Sequence, residues 1–287
     1  MADTEKLIES LESSGLDIHG IHMIHQGKTV LHHAFDDDKP YPIYSAAKSV
    51  TALAFALAWD DKAVAPEMAV VPFLDGGYEF PEGFKELTFE RLLTMTAGKF
   101  PFRPQGDDWL RYILSADVDY SDRSFNYSNI PAYLVGAACE NAVGQSLMEF
   151  LTKRLFEPLG IAAPKYSTCP HGHFYGATGM EMSVEDLAKL GQLCLDGGSY
   201  NGRQLISSRS ISQAVSPHVP AGDDSYGYFF RVAGDHFSMV GKWGQRCMVF
   251  PQRQLVAAYL ADCPDDAQRL YELVYSCITG TTLGHNR

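Results

Sequence analysis

The sequence predicts an α+β fold: an antiparallel sheet of about five strands, flanked by helices, with an inserted and mostly helical lobe. Three observations predict it. Strand-like apolar runs gather at the two ends of the chain, at Gly20 to His25 and Thr29 to Phe35 and again between Tyr226 and Ala261. The stretch from about Asp60 to Gly179 has a helical rhythm broken by Pro/Gly-rich loops. A helix pattern stands outside each group of strands, at Glu5 to Ser13 and at Asp265 to Thr279. Strands from both ends therefore share one sheet, giving a single domain of two lobes. Residues 1–59 with 180–287 form the α/β lobe, and residues 60–179 form the helical lobe. An active site belongs in the crevice between them.

The elements follow in order. Glu5 to Ser13 is amphipathic, and Gln26-Gly27-Lys28 between two strand runs is a hairpin signal. Val50, Leu53, Ala54, Leu57 and Ala58 recur at the 3–4 spacing of a helix with one buried face. Phe100-Pro101-Phe102-Arg103-Pro104 is a loop expected near the cleft, and Pro131 opens a helix. Ser183 caps a helix running to Asp196, with Asp186 as a variant capping box and Gly197-Gly198 as the stop. Strands are then expected at Tyr226 to Ala233, His236 to Val240, Arg246 to Phe250 and Leu255 to Ala261.

Composition narrows the class. A chain of 287 residues with 46% apolar content buries enough surface to fold without staples. Its 23 Lys+Arg against 35 Asp+Glu leave a net charge of -12 with no basic cluster, which disfavours nucleic acid or an anionic membrane as partner. The start, Met1 to Lys6, leads into an amphipathic helix rather than the apolar core of a signal peptide. Six cysteines form no Cys-x-x-Cys pair and read as reduced thiols. A cytoplasmic protein is expected.

Three short motifs carry chemistry. Ser45-Ala46-Ala47-Lys48 precedes the apolar run, so in a first helical turn Ser45 and Lys48 stand on one face. A serine hydroxyl needs such a basic nitrogen beside it to become a nucleophile. With 21 Ser and 11 Lys in the chain, chance alone gives about one such pair. Two further segments supply what the pair lacks. In Tyr127-Ser128-Asn129 a phenol can act as acid or base and an amide can orient an ammonium. In Lys242-Trp243-Gly244-Gln245, between two strand runs, an edge-strand cation stands beside an open backbone against which a substrate carbonyl can lie.

In this order Ser-x-x-Lys, Tyr-x-Asn and Lys-x-Gly resemble the signature elements of the serine β-lactamase and penicillin-binding-protein superfamily. The branch resembled is the one that holds class C β-lactamases, D-aminopeptidases and β-lactamase-like carboxylesterases. Leu92-Leu93-Thr94-Met95-Thr96-Ala97-Gly98, Phe156-Glu157-Pro158-Leu159-Gly160-Ile161 and Ser183-Val184-Glu185-Asp186-Leu187 look like further family segments in sequence order. The resemblance implies a serine hydrolase working through an acyl-enzyme, with Ser45 as nucleophile and Lys48 and Tyr127, each tuned by the other's charge, as proton carriers. It further implies that Asn129 orients Lys48 and substrate, that Lys242 holds a phenolate, and that the backbone N–H groups of Ser45 and Gln245 bind the oxyanion. No cofactor and no metal is implied.

Trp243 departs from the family pattern. Lactam-cleaving members carry a small hydroxyl residue there, so an indole argues against penicillin-like substrates and resembles the esterase relatives. A carboxylesterase on small ester or amide substrates is expected; a β-lactamase or D-amino-acid-specific peptidase is the alternative, and a non-catalytic binding module on the same fold is the second. Other features read as structural. Strand alternation puts His19 and His22 on opposite faces, which disfavours a zinc site. Asp36-Asp37-Asp38 reads as a solvated turn. The chain lacks the Gly-x-Ser-x-Gly elbow of α/β-hydrolases.

Overall fold

The computed structural model describes residues 3–281; Met1 and Ala2, part of the signal-peptide reading, lie outside them. Helix α1 (Thr4–Glu12) starts where the Asp3 carboxylate accepts from the Lys6 N–H, and buries Leu7 and Leu11. Strands β1 (Ile18–His25) and β2 (Lys28–Ala34) form a hairpin. Gln26 and Gly27 between them both have positive φ, the condition for the tight turn that matches strand twist. The remaining long helices are α2 (Ala47–Asp60), α3 (Ile130–Val143) and α4 (Val184–Leu195). Six strands follow: β3 (Val219–Ala221), β4 (Asp224–Tyr226), β5 (Arg231–Val232), β6 (Phe237–Gly241), β7 (Gln245–Phe250) and β8 (Leu255–Ala261). Helix α5 (Ala267–Thr279) closes the described chain.

These eight strands join one antiparallel sheet in the order β2-β1-β8-β7-β6-β5-β4-β3, against the expectation of about five; four two-residue strands elsewhere form two small separate sheets. The excess is at one edge, where β3 has no counterpart among the expected strands. Instead of a single strand over Tyr226 to Ala233, the chain makes two short strands, because Phe229 takes φ 57° and Gly227 donates to the Phe230 carbonyl to form a turn. That turn places Tyr228, Phe229 and Phe230 in the core.

Alternation along the strands builds two layers. Met248 and Phe250 of β7 and Ala257 and Tyr259 of β8 face α1 and α5, where they meet Leu7, Leu270 and Val274. The intervening Cys247, Val249, Val256 and Ala258 belong to a larger core with Leu187 and Leu190 of α4. This larger core continues into the helical segment through Leu92, Leu134 and Phe156, so one apolar interior runs from the sheet into that segment.

Helix α2 corrects the expectation of one buried face: every residue from Ala47 to Ala58 is buried, Lys48, Ser49 and Thr51 included. Its alanines allow close approach on all sides, and its polar groups find partners. Ser49 donates to the Phe229 carbonyl and Thr51 to that of Gly176. The Ser183 cap on α4 holds, with its oxygen accepting from the Asp186 N–H at 3.1 Å. Asp186 does not complete a capping box; its carboxylate binds Lys189. His19 bonds Asp36, whereas His22 bonds His32 and Thr29. No helix among the described residues is long and apolar enough to cross a membrane.

Candidate active site

Ser45 lies in a 3-10 turn, Tyr44–Ala46, that runs directly into α2. Tyr44 in front of it has φ 46°, a costly conformation for a residue with a side chain, and this lifts the hydroxyl out at the mouth of the helix. One helical turn on, Lys48 is 1% exposed. Its Nζ lies 3.1 Å from Ser45 Oγ, 2.7 Å from Asn129 Oδ1 and 3.0 Å from the Ala177 carbonyl oxygen. Asn129 Nδ2 donates to Tyr175 Oη at 3.0 Å, so its carbonyl end is the one turned to Lys48.

Burial lowers the Lys48 pKa to about 7. A neutral amine has two N–H donors and one lone pair. Ser45 Oγ, Asn129 Oδ1 and the Ala177 carbonyl each accept from Nζ; once the ammonium loses a proton, Asn129 and Ala177 can keep both remaining donors and the lone pair is left for the hydroxyl hydrogen of Ser45. The Tyr127 ring closes the other side, its centroid 4.8 Å from Lys48 Nζ. Burial also raises the Tyr127 pKa, with Ser45 and Arg231 pulling the other way, so the phenol stays protonated at neutral pH. Desolvation sets both shifts. This replaces the expectation that each group is tuned by the other's charge.

The Lys-x-Gly segment is placed differently from the edge strand expected of it. Lys242–Gly244 is the tight turn that closes the β6–β7 hairpin, with Trp243 at φ 65°. Trp243 packs edge-on against Tyr44, with ring centroids 5.0 Å apart, and its ring lies outside the walls of the cleft. The Lys242 ammonium sits 3.6 Å from the Trp243 ring centroid and 4.6 Å from that of Tyr44, at the cleft edge; the cation felt by the Tyr127 phenol is Arg231. Gly244 faces α5: a side chain there would press on Ala261 and Leu270. Gln245 spends its amide on the main chain of Ala261, extending the β7–β8 ladder by a side chain.

The open backbone comes instead from β6. Strand β5 pairs only with Phe237 and Ser238, so Met239, Val240 and Gly241 present an edge free of β5. Gly241 must lack a side chain because one would run into the Ile43 carbonyl, two residues before Ser45. Val240 and Gly241 line a cavity of about 280 Å³ with Ser45, Tyr127 and Arg231. A second cavity of about 700 Å³ shares Ser45 and Lys242 with the first and adds Asn129, Tyr175 and Arg103. Phe102, 60% exposed, stands on both. A smaller pocket of about 210 Å³, lined by Met23, His25 and Ile278, holds none of these groups.

Ser45, Lys48, Tyr127 and Asn129, drawn from three separate stretches, thus converge on one cleft. Reading the sequence missed Arg231, Val240 and Gly241. Only the missing side chain of Gly241 left a trace in it. Arg231 had no signal, since it lay inside what read as a continuous strand.

A large antiparallel sheet with a buried helix presenting Ser-x-x-Lys to such a cleft is the architecture of β-lactamase-fold serine hydrolases. The family description "Beta-lactamase" matches residues 8–274, so the chain belongs to that family. Solved structures agree at the level of fold. The penicillin-binding protein from Bacillus halodurans superposes with a TM-score of 0.77 at 17% identity, over 94% of this chain and 99% of that one. The octameric penicillin-binding protein homologue from Pyrococcus abyssi gives 0.76 at 19% identity, over 98% and 78%. The structure of SurE with D-Leu gives 0.80 at 19% identity, over 98% and 75%. A comparison with curated proteins gives no match.

Proposed function

We propose that this chain is a serine hydrolase that acts through an acyl-enzyme on small ester or amide substrates, with carboxylester hydrolysis the favoured activity. The observation that carries the reading is the buried Lys48 amine, with its pKa near 7, 3.1 Å from Ser45 Oγ and with both other neighbours acceptors. Lys48 takes the Ser45 proton as Oγ bonds to the substrate carbonyl carbon. The free edge of β6 holds the carbonyl group beside Ser45. As the C–O or C–N bond breaks, Tyr127 gives its phenolic proton to the leaving group and recovers one from the Lys48 ammonium. Water then attacks the acyl-Ser45 ester, its proton passes to the same amine, and Oγ is released protonated. Asn129 and Ala177 hold Lys48 in place throughout.

Ester over lactam is favoured by what is missing from the third motif: Trp243 packs against Tyr44 away from the cleft and supplies no small hydroxyl to it. Ser45→Ala is expected to abolish turnover of para-nitrophenyl acetate or butyrate, and a fluorophosphonate probe is expected to label Ser45, located by mass spectrometry. Full activity in the variant, or labelling elsewhere, refutes the assignment. Nitrocefin and D-alanyl peptides, tested beside the esters, separate the lactamase and peptidase alternatives.

A further inference from the structure

His173 is a buried cation that the chemistry above does not use. Its Nδ1 lies 2.6 Å from Glu140 Oε1 and its Nε2 lies 2.9 Å from Asp75 Oδ2. An ionised carboxylate only accepts, so both ring nitrogens donate and the ring is an imidazolium. The bond to Glu140 leads in raising its pKa to about 9, while burial pulls the other way and Asp75 adds to the rise. The bridge is therefore intact while Lys48 titrates, and by the pH at which the ring loses its proton Lys48 is already the free amine. Both carboxylates are tied down in turn. Glu140, in the last turn of α3, also accepts from the Leu147 N–H, and Asp75 accepts from the Asn141 amide. The His173 side chain is 13% exposed and that of Glu140 15%. Burying such charges costs desolvation that their attraction barely offsets, so what the bridge supplies is a fixed direction at one point of the chain.

That point opens the segment that encloses the Lys48 amine. The chain doubles back before it, with Thr168 bridged to Phe174 and the Cys169 N–H bonded to the His173 carbonyl. It then runs through residues 175–177, each of which gives one group to the site. Tyr175 Oη accepts from Asn129, the Gly176 carbonyl accepts from Thr51 Oγ1 at 2.7 Å, and the Ala177 carbonyl accepts from Lys48. Gly176 lies so close to α3 that a side chain there would meet the Ala132 carbonyl. Further on, the Met180 carbonyl accepts from the Ile43 N–H and Glu181 pairs with Pro42. One end of the segment is thus fixed to the residues before Ser45. The other is fixed to α3 by His173.

We infer that His173 is a positioning residue for Lys48: its imidazolium, held by Asp75 and Glu140, anchors residues 175–177 so that they keep the amine enclosed and in register with Ser45. The inference rests on the hydrolase reading for the use made of the amine, but not for the anchoring itself. Without the anchor the Ala177 carbonyl shifts and water reaches Nζ, which makes the ammonium a weaker acid.

Lysine labelled with carbon-13 at Cε reports the Lys48 titration by NMR without any substrate, and Lys48→Met identifies its signal. The wild-type midpoint is expected at about 7. In His173→Gln it is expected to rise by about one pH unit, which on a neutral ester lowers kcat/KM about fivefold at pH 7. Asp75→Asn and Glu140→Gln each remove one half of the bridge and leave the ring in place. They are expected to move the midpoint the same way by less, and they carry the test should His173→Gln not fold. Asp60→Ala controls for lost stability: it removes a carboxylate bonded by Ser207 and Ser210 at the other end of α2, and is expected to leave the midpoint in place. Wild-type midpoints in the bridge variants that fold, or an equal shift in Asp60→Ala, overturn the inference. So does a lower alkaline plateau with an unmoved midpoint, the mark of a merely structural role. If no ester turns over and Ser45 is not labelled, the hydrolase reading fails, while a raised NMR midpoint still upholds the anchoring.

Discussion

Lys48 is a strong helix former with a cationic end, placed where the fold buries it. Its pKa of about 7 follows from burial, and only the free amine can accept the Ser45 proton. Activity is therefore expected to rise with pH through about 7, as the ammonium loses its proton. It should then stay level into the alkaline range, because burial keeps the Tyr127 phenol protonated. A kcat/KM profile on a neutral ester checks this, and a limb several units away from 7 contradicts it. Lys48→Met and Tyr127→Phe are each expected to cost about 10²- to 10⁴-fold in kcat, the usual weight of a positioned acid or base. If only the Lys48 variant loses activity, water rather than the phenol delivers the leaving-group proton. At this scale the proximity of Ser45 and Lys48 was legible, because Ser-x-x-Lys works through local helical spacing. Arg231 was not, because its neighbours come from β4 and β6 and from the loop at Phe125.

Among the elements, β6 has the most demanding task. It must pair with β7 along its whole length and with β5 for only two residues, so that its last three are free of β5 and Val240 and Gly241 reach the cavity at Ser45. Gly241 makes that proximity possible. Gly241→Ala is expected to destabilise the protein by about 1–3 kcal/mol, as overpacking does, and to lower kcat/KM by displacing the turn that carries the nucleophile. Urea unfolding and ester kinetics measure the two effects; wild-type values in both would show that the β6 end does not press on Ile43. The hairpin turn also explains why Lys242-Trp243-Gly244 looked like part of a strand. Local apolar runs reveal that two strands exist, whereas the residues left over for the turn depend on the register between them, which pairs Gly241 with Gln245. The split of β4 from β5 escaped notice for a related reason: Phe229 at positive φ is held by its N–H bond to the Leu93 carbonyl, a contact far away in sequence.

For the molecule as a whole, the buried amine is a cost that folding bears. The Lys48 pKa is about 7 in the fold against 10.5 for a free lysine. Between these values the unfolded chain binds more protons, so this group makes stability rise with pH across that window; its penalty is complete below about 7 and gone above about 10.5. Lys48→Met removes the penalty but leaves the Asn129 and Ala177 carbonyls short of a donor. The variant is therefore expected to gain on wild type as pH falls from 10 to 6, by on the order of a few kcal/mol. Urea unfolding of both proteins at the two pH values measures it. A difference independent of pH would show that Lys48 remains charged in the fold.

Periodicity, turn residues and motif spacing were enough, without coordinates, to establish an α+β chain with sheet-forming segments at both ends and a serine–lysine pair at a helix start, because each of these depends on neighbours within a few residues. The tertiary structure alone decided that the sheet has eight strands, that α2 is enclosed on every side, and that Arg231 shares a cavity with Ser45. Those outcomes depend on which distant surfaces pack together, and packing density and desolvation are properties of the assembled core rather than of any segment.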